Sequence, residues 1–227
     1  EAAAEAAALR KDSERRQAQA RKKVINVKER WQRPLMAQIP VTFMLGMLCF
    51  GLTMITDFGS RTETLTDRLL FSQPPEPGVA GLQKYMQESP FARIREGQVW
   101  RLITPIFLHG NVLHLMFNFY WLIVLGGMIE FRQGSLRMIF LVLAFALISN
   151  VSQALHHGPN FLGFSGVGYG LFGYVWVSSR YVPEAGLYIS PANVAMWLVW
   201  FVVCLTGAVG DIANAAHWSG LVSGMVF

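Results

Sequence analysis

One serine and one histidine, far apart in the sequence, are of the residue types that perform nucleophilic catalysis: Ser165 and His217. A serine hydroxyl is a weak nucleophile until a base removes its proton, and a neighbouring histidine is the usual base. His114 and Asn118 are four residues apart, so on a helix they share one face. Both can donate hydrogen bonds to the oxyanion that forms during acyl transfer. These four residues predict a serine–histidine dyad with an oxyanion hole, provided that the elements carrying them meet.

The distribution of charge indicates what kind of protein carries these residues. The chain has 227 residues, 53% of them hydrophobic, a mean hydropathy of +0.36 and a net charge of +5. Residues 1–40 contain ten basic and five acidic side chains, so the whole surplus, 10 − 5 = +5, lies there. From Leu102 onward only six residues are charged: Glu130, Arg132, Arg137, Arg180, Glu184 and Asp211. An ordinary soluble domain has about 25% charged residues. The pattern therefore indicates a basic tail on a membrane protein, not a nucleic-acid-binding surface.

Long uncharged runs predict an all-α membrane protein with six transmembrane helices and a long first loop. A helix needs about 20 apolar residues to cross the hydrocarbon core. The runs accommodate spans near 36–56, 111–129, 138–155, 165–179, 190–207 and 212–227, with a turn cluster at 156–160. We expect a basic helical cytoplasmic tail at 1–33 and a core at 34–227 whose first loop covers 58–110. The last span is short, and we expect that the chain is cut before its natural end.

Basic residues also predict the orientation of the spans. With the N-terminus in the cytoplasm, thirteen basic residues (ten in the tail and three between later spans) face the cytoplasm, against six in the first loop. Spans two, four and six then run inward from the outer surface, so their first turns share one layer. That layer holds His114, Asn118, Ser165, Asn214 and His217. Polar residues inside a membrane are costly and are functional candidates by default.

Glycine spacing predicts how closely two of these spans approach. Pairs of glycines four apart occur on span four, Gly166 and Gly170, and on span six, Gly220 and Gly224. Small residues at this spacing let membrane helices pack with their backbones close together. Such packing would bring the serine hydroxyl within hydrogen-bond reach of the histidine.

No acidic residue is well placed to complete a catalytic triad. Asp211 precedes His217 by six residues, which corresponds to about 600° of helical rotation and roughly 9 Å of rise. We interpret Asp211 as a cap at the end of a span, with an orienting role as the alternative. His109 and His114 are five apart, without an HExxH motif or acids in their layer, so we predict no metal site and no cofactor.

Four other polar residues are interpreted as structural. His109 is expected to be a structural or interfacial histidine, and Glu130, beside Arg132, a structural acid at the interface. His156 and His157 are expected in a loop at the membrane surface.

Five ordered motifs resemble those of rhomboid intramembrane serine proteases. They are Trp100-Arg101, His109-Gly-Asn-Val-Leu-His114-Leu-Met-Phe-Asn118, Gly163-Phe164-Ser165-Gly166 with Tyr169, Ala216-His217-Trp218-Ser219-Gly220-Leu221-Val222-Ser223-Gly224, and Gly126-Gly127-Met128-Ile129-Glu130 with Gly134-Ser135. The first four are similar to the WR, HxxxxHxxxN, GxSG and AHxxGxxxG signatures of that family. The last resembles the bacterial GlpG-type subgroup. The resemblance covers roughly residues 34–227.

The resemblance implies a six-helix rhomboid core, with Ser165 as nucleophile and His217 as general base. It also implies that His114, Asn118 and the Ser165 amide form the oxyanion hole and that Tyr169 packs against the imidazole. Span five would gate the admission of substrate through Trp197, Trp200 and Phe201.

The resemblance also implies substrates and a location. The substrates would be single-span membrane proteins, cut in or next to the transmembrane segment at a small residue. We expect an integral protein of the bacterial inner membrane, surrounded by lipid, with a cytoplasmic N-terminus and a site open to the periplasm. No nucleic-acid partner is expected, and the sequence sets no oligomeric state.

Two features depart from the family, and two other functions compete. The first loop is longer than in compact bacterial members, with a proline-rich insertion near 72–81, and a basic tail replaces the soluble N-terminal domain common in the subgroup. The alternative function is a catalytically inactive rhomboid-like protein that binds membrane clients, although such proteins usually lack the serine or the histidine. A small transporter or channel is a third, but the intramembrane charges expected along an ion path are missing.

Overall fold

The computed structural model describes residues 34–59, 65–72, 78–210 and 212–227, but not the side chains of Leu35, Lys84 and Tyr85. The predicted tail at 1–33 lies outside these ranges, so its helix stays a prediction. The chain divides into two compact units, Glu1–Gln38 and Ile39–Phe227. The described part of the first unit contains one helical turn, Leu35–Gln38. The remaining elements all belong to the second unit.

Helices make up all of the regular structure in the described residues. The six main helices are α1 (Pro40–Ile55), α2 (Val112–Gln133), α3 (Ser135–His157), α4 (Ser165–Tyr181), α5 (Pro191–Leu205) and α6 (Asn214–Val226). Shorter helical segments are Leu65–Leu69, Val79–Gln87, Ala92–Arg95, Val99–Leu102, Thr104–Phe107 and Pro183–Ala185. The predicted all-α class is therefore confirmed for this part of the chain.

Two of the main helices are long and apolar enough to cross a membrane. By length and composition these are α2, with 22 residues, and α3, with 23. Two others, α1 and α5, are apolar but shorter, with 16 and 15 residues. The described residues thus support apolar spans, and the count of six crossings stays a prediction.

The start of α1 is held by a carboxylate from a distant helix. Glu130 is 2% exposed and accepts hydrogen bonds from the backbone N–H groups of Val41 (2.9 Å) and Thr42 (2.7 Å). It also accepts one from the Ser135 hydroxyl at 2.6 Å. The first N–H groups of a helix have no partner within the helix, and the helix dipole favours negative charge there. Glu130 therefore joins α1 to the junction of α2 and α3.

A π turn divides α2 into two α-helical parts. Val112–Trp121 and Gly127–Gln133 are α-helical, and Leu122–Gly126 between them forms the π turn. Such a turn is wider than an α-helical turn because its hydrogen bonds join residues five apart. The turn changes the direction in which side chains point after it. Asn118 lines a cavity in the first part, whereas Glu130 caps α1 in the second.

The described part of the first loop is organised by Trp100 and Arg101. Arg101 is 1% exposed, and its guanidinium donates hydrogen bonds to the carbonyl oxygens of Asp67 (2.5 Å) and Leu70 (2.6 Å). The Trp100 indole N–H donates to the Arg68 carbonyl at 3.0 Å. The two residues of the Trp-Arg motif therefore hold the segment around Leu65–Leu69 in place. Beside them an aromatic cluster forms from Phe71, Phe91 and Phe161.

The C-terminal end of α3 lies further along the chain than expected. His156 and His157, predicted in a loop, form the last turn of the helix, so that prediction was wrong. The helix ends at Gly158, whose φ of +87° is the left-handed conformation that glycine adopts readily. Histidines in the last turn can interact favourably with the helix dipole.

The backbones of α4 and α6 are in direct contact. A Cβ atom added to Gly220 would overlap the carbonyl oxygen of Gly166, and one added to Gly224 would overlap that of Gly170. Because only glycine lacks a Cβ atom, no other residue fits at these two positions without moving the helices apart. The predicted close approach of the two helices is therefore confirmed at Gly220 and Gly224, whereas Cβ atoms on Gly166 and Gly170 would meet Ser149 and Phe145 of α3.

A methyl group at this contact should destabilise the protein. We expect Gly224→Ala to lower the free energy of unfolding by about 1–3 kcal/mol, the range for overpacked interiors. Gly51→Ala on α1 is the matched control, because a Cβ atom there meets nothing within 4 Å and alanine favours a helix over glycine. Thermal unfolding in detergent measures both variants, and equal melting temperatures would contradict the close packing.

Candidate active site

Ser165 and His217 are joined by a hydrogen bond. Ser165 is the first residue of α4, and His217 lies in the first turn of α6. Ser165 Oγ is 2.8 Å from His217 Nε2, and the histidine is 4% exposed. The glycine contact between α4 and α6 brings these two helix starts together. The pair has the geometry of a nucleophile beside a base.

Tyr169 covers one side of the His217 ring. It lies one turn after Ser165 on α4, and the two ring centroids are 4.6 Å apart with a tilt of 37°. No described residue hydrogen-bonds to His217 Nδ1 or to the Tyr169 hydroxyl. Asp211, weighed as an orienting acid, lies outside the described residues. In the part of the chain that the structure describes, the imidazole is therefore positioned by packing and by Ser165.

His114 lies directly in front of the loop that leads to Ser165. Gly163 has φ +124°, and a Cβ atom added to it would lie 2.7 Å from His114 Nε2 and 3.8 Å from Ser165 Oγ. His114 and Ser165 therefore both border the position that a side chain at Gly163 would take, and both line the same cavity. Asn118 uses its side-chain amide to donate to the His114 carbonyl at 2.8 Å, which leaves its second amide hydrogen for another acceptor.

His109 supports this loop from behind. Its Nε2 accepts a hydrogen bond from the Phe164 backbone N–H at 3.4 Å, and its Nδ1 lies 3.3 Å from the Thr53 hydroxyl. Burial lowers the pKa of His109 to about 3, so the ring is neutral and Nε2 is free to accept. His109 is fully buried and has the structural role that the sequence predicted.

A cavity of about 780 Å³ lies in front of the pair. Its polar lining comes from two groups: the predicted residues Ser165, His217, His114 and Asn118, and the further residues Asn111, Gln153, His157 and Asn160. Its aromatic wall comes from Phe117, Trp121, Tyr169, Trp197 and Trp200. The structure thus brings the four residues predicted for the dyad and oxyanion hole to one cavity.

The three residues predicted to gate the site lie on α5, in contact with α2 and α4. Trp197 is 3% exposed and packs on Tyr169, with centroids 4.8 Å apart. Phe201 also packs on Tyr169, at 5.5 Å, and Trp200 packs on Phe117 of α2, at 5.6 Å. The gating role of these residues stays a prediction.

Gln153 is the main polar residue of the site that sequence reasoning missed. Its side-chain carbonyl accepts a hydrogen bond from the Ala216 backbone N–H at 3.1 Å, just before His217. The signal is present in the sequence, because Ser149, Asn150, Ser152 and Gln153 interrupt the otherwise apolar third span. They lie in the last turns of that span, whereas the predicted site drew only on the first turns of spans two, four and six.

No group of three or more His, Cys, Asp or Glu side chains arranged to hold a metal ion occurs among the described residues. The buried Cys204 lines the cavity as a free thiol.

Known proteins are similar in sequence to the part of the chain that carries this site. The family model described as Rhomboid domain matches residues 96–227, more than half of the chain. The rhomboid protease GlpG of Yersinia pestis (strain Pestoides F) is 39% identical over 130 residues, which cover 57% of this chain and 47% of that protein. The rhomboid protease GlpG of Salmonella paratyphi A is 38% identical over 137 residues, covering 60% and 50%. The chain spans about half the length of these curated relatives.

A side chain at Gly163 should disturb His114. We expect Gly163→Ala to lower the rate at which a fluorophosphonate labels Ser165 by about 10-fold or more, because the new methyl group takes the space of the His114 ring and small misplacements in a reactive site are costly. Gly158→Ala is the matched control, since its φ of +87° is also left-handed but a Cβ atom there meets nothing within 4 Å. Equal labelling rates for the two variants would show that His114 tolerates the methyl group.

Proposed function

Because the chain belongs to the rhomboid family, we propose that it is an intramembrane serine endopeptidase with a Ser165–His217 dyad. The observation that carries this proposal is the 2.8 Å separation of Ser165 Oγ and His217 Nε2 at the edge of a cavity. The rhomboid proteases to which the chain is similar support the same reaction class. The substrates proposed are membrane proteins, cut in or next to their transmembrane segment.

The proposed reaction proceeds in two halves. His217 Nε2 accepts the proton of the Ser165 hydroxyl while Oγ attacks the scissile carbonyl carbon, which gives a tetrahedral intermediate. When the intermediate collapses, the C–N bond breaks and His217 returns the proton to the leaving amine. A water molecule then attacks the acyl carbon and gives a proton to His217. When this second intermediate collapses, the bond between the acyl carbon and Ser165 Oγ breaks, His217 returns the proton to Oγ, and the carboxylic product leaves.

The oxyanion of each intermediate needs hydrogen-bond donors. We assign His114, the free amide hydrogen of Asn118 and the Ser165 backbone N–H to this role. The shared cavity that His114, Asn118 and Ser165 line supports the assignment, and so does the position of the Ser165 amide at a helix start, where N–H groups have no partner within the helix. Preorganised donors of this kind are usually the largest single contribution to acyl-transfer catalysis.

We further propose a six-span bundle in a bacterial inner membrane, with a cytoplasmic N-terminus and a cavity open to the periplasm. The basic tail and the apolar helices support this arrangement. Lipid would surround the bundle, and a single-span substrate would reach the cavity from the side of α5, past Trp200 and Phe201. Water would reach the acyl-enzyme beneath residues 158–164, because Asn160 lines the cavity there.

Loss of the serine hydroxyl should abolish proteolysis. We expect Ser165→Ala to reduce cleavage of a single-span substrate in liposomes to background, because no nucleophile remains in front of His217. Ser179→Ala is the matched control, since Ser179 lies on the same helix and its hydroxyl only donates to the Trp176 carbonyl. The cleavage products are quantified by gel and mass spectrometry.

The outcomes of this experiment separate the competing functions. Cleavage by Ser165→Ala at the wild-type rate would refute the dyad. Stable binding of the substrate by the wild-type protein, with no cleavage and no labelling of Ser165, would instead favour the inactive client-binding function.

Removal of one oxyanion donor should slow the reaction without abolishing it. We expect His114→Ala to lower kcat by about 10²–10³, the usual effect of deleting one such donor, and to change KM much less. His156→Ala is the control, since that histidine is exposed and does not line the cavity. An unchanged kcat in His114→Ala would remove His114 from the oxyanion hole.

A further inference from the structure

Tyr169 is positioned by ring contacts alone. The residue is 2% exposed, and its hydroxyl has no hydrogen-bond partner among the described residues. Its ring is packed by three neighbouring rings: His217 at 4.6 Å, Trp197 at 4.8 Å and Phe201 at 5.5 Å. Trp197 and Phe201 both belong to α5. The placement of Tyr169 against the imidazole therefore depends on where α5 lies.

Trp197 differs from the other aromatic residues that α5 presents to α2. It is 3% exposed and stacks on Phe172, with centroids 4.9 Å apart and planes only 5° from parallel. Its ring also lies 5.0 Å from that of Trp121. By contrast Trp200 is 37% exposed, and its contact partner Phe117 is also exposed. Trp197 is thus a fixed inner contact, whereas Trp200 lies at the surface.

These contacts form one continuous path from α5 to the base of the dyad. The Trp197 ring packs edge-on against Tyr169, at 77°, and Tyr169 packs against His217, which in turn hydrogen-bonds to Ser165. Aromatic pairs of this geometry stabilise each other beyond the area that they bury. Because Tyr169 has no hydrogen bond to anchor it, loss of the Trp197 contact leaves its ring free to turn away from the imidazole.

We propose that Trp197 is a positioning residue that aligns His217 through Tyr169, so that the position of α5 is coupled to the reactivity of the dyad. The inference rests on the proposed function. Movement of α5 outward withdraws Trp197 and Phe201 from Tyr169, and the imidazole loses the ring that holds it. The dyad is reactive when α5 is packed against α4, or when a substrate side chain fills the space that Trp197 leaves. Peptide hydrolysis is thereby suppressed while the side of the bundle stands open.

The coupling is tested with a small fluorophosphonate, which reaches Ser165 without the gating that a transmembrane substrate needs. Labelling forms the Ser165 Oγ–P bond, breaks the P–F bond and releases fluoride, with the serine proton taken by His217. We expect Trp197→Leu to lower the second-order labelling rate by about 10- to 100-fold, the scale of effect when a reactive group is slightly misplaced.

Three further variants distinguish positioning from general damage. Trp197→Phe keeps a ring beside Tyr169 and should recover most of the labelling rate. Trp176→Leu is the matched control, because Trp176 also stacks on Phe172, at 5.6 Å, but does not line the cavity. In a Tyr169→Leu background, Trp197→Leu should cause no further loss, since the path is already broken. If Trp197→Leu does not fold, Phe201→Leu takes its place, because it removes the second α5 contact with Tyr169. The same fall in the labelling rate is expected.

Each outcome decides the inference. A labelling rate of Trp197→Leu equal to or above that of the wild type would overturn it, because Trp197 would then only block access. Equal losses in Trp197→Leu and Trp176→Leu, or additive losses in the Tyr169→Leu background, would also overturn it. If the wild-type protein itself is not labelled at Ser165, the proposed function fails first, and the coupling with it.

Discussion

The backbone contact between α4 and α6 is the constraint on which the rest of the structure depends. Packed helices usually keep their axes 8–10 Å apart because side chains separate them. Here the glycines remove those side chains, and the carbonyl oxygens of Gly166 and Gly170 lie where Cβ atoms on α6 would be. Only at this separation can the short Ser165 side chain reach an imidazole on the next helix. The cavity, the tyrosine beside the histidine and the supporting loop are all arranged around that hydrogen bond.

The parts of the fold that were predictable are those that single residues or short runs encode. Uncharged runs predicted the helices to within a few residues, and the glycine spacing predicted which two helices touch. The inward direction of Gln153 was not predicted, because the polar residues Ser149, Asn150 and Gln153 mark one side of α3 without showing which backbone group that side meets. Glu130 was predicted to be structural, but its partners on α1 were not predicted. Every residue except proline has a backbone N–H group, so residue types do not show which of these groups a carboxylate will meet. The catalytic roles of Ser165 and His217 remain predictions of the same motifs.

Buried polar side chains in this protein are used chiefly to satisfy backbone groups at the ends of elements. Glu130 accepts from the start of α1, Gln153 from the start of α6, and Arg101 donates to the carbonyl oxygens of the first loop. Each unsatisfied backbone group would cost several kcal/mol in hydrocarbon, and these contacts avoid that cost at the places named. His109 does the same for the Phe164 N–H beside the nucleophile. The site is therefore supported by the same kind of contact that stabilises the fold.

Because of the π turn at Leu122–Gly126, the side chains in the two parts of α2 point in directions that one regular α-helix would not combine. A π turn holds one residue more than an α-helical turn, and each residue of an α-helix advances the side-chain direction by about 100°. If the same sequence formed a regular α-helix throughout, every side chain after the turn would be rotated by about that angle. His114 and Asn118 would keep their place at the cavity, but Glu130 would no longer face the start of α1. The extra residue held in this turn is therefore what lets one helix serve the cavity at one end and α1 at the other.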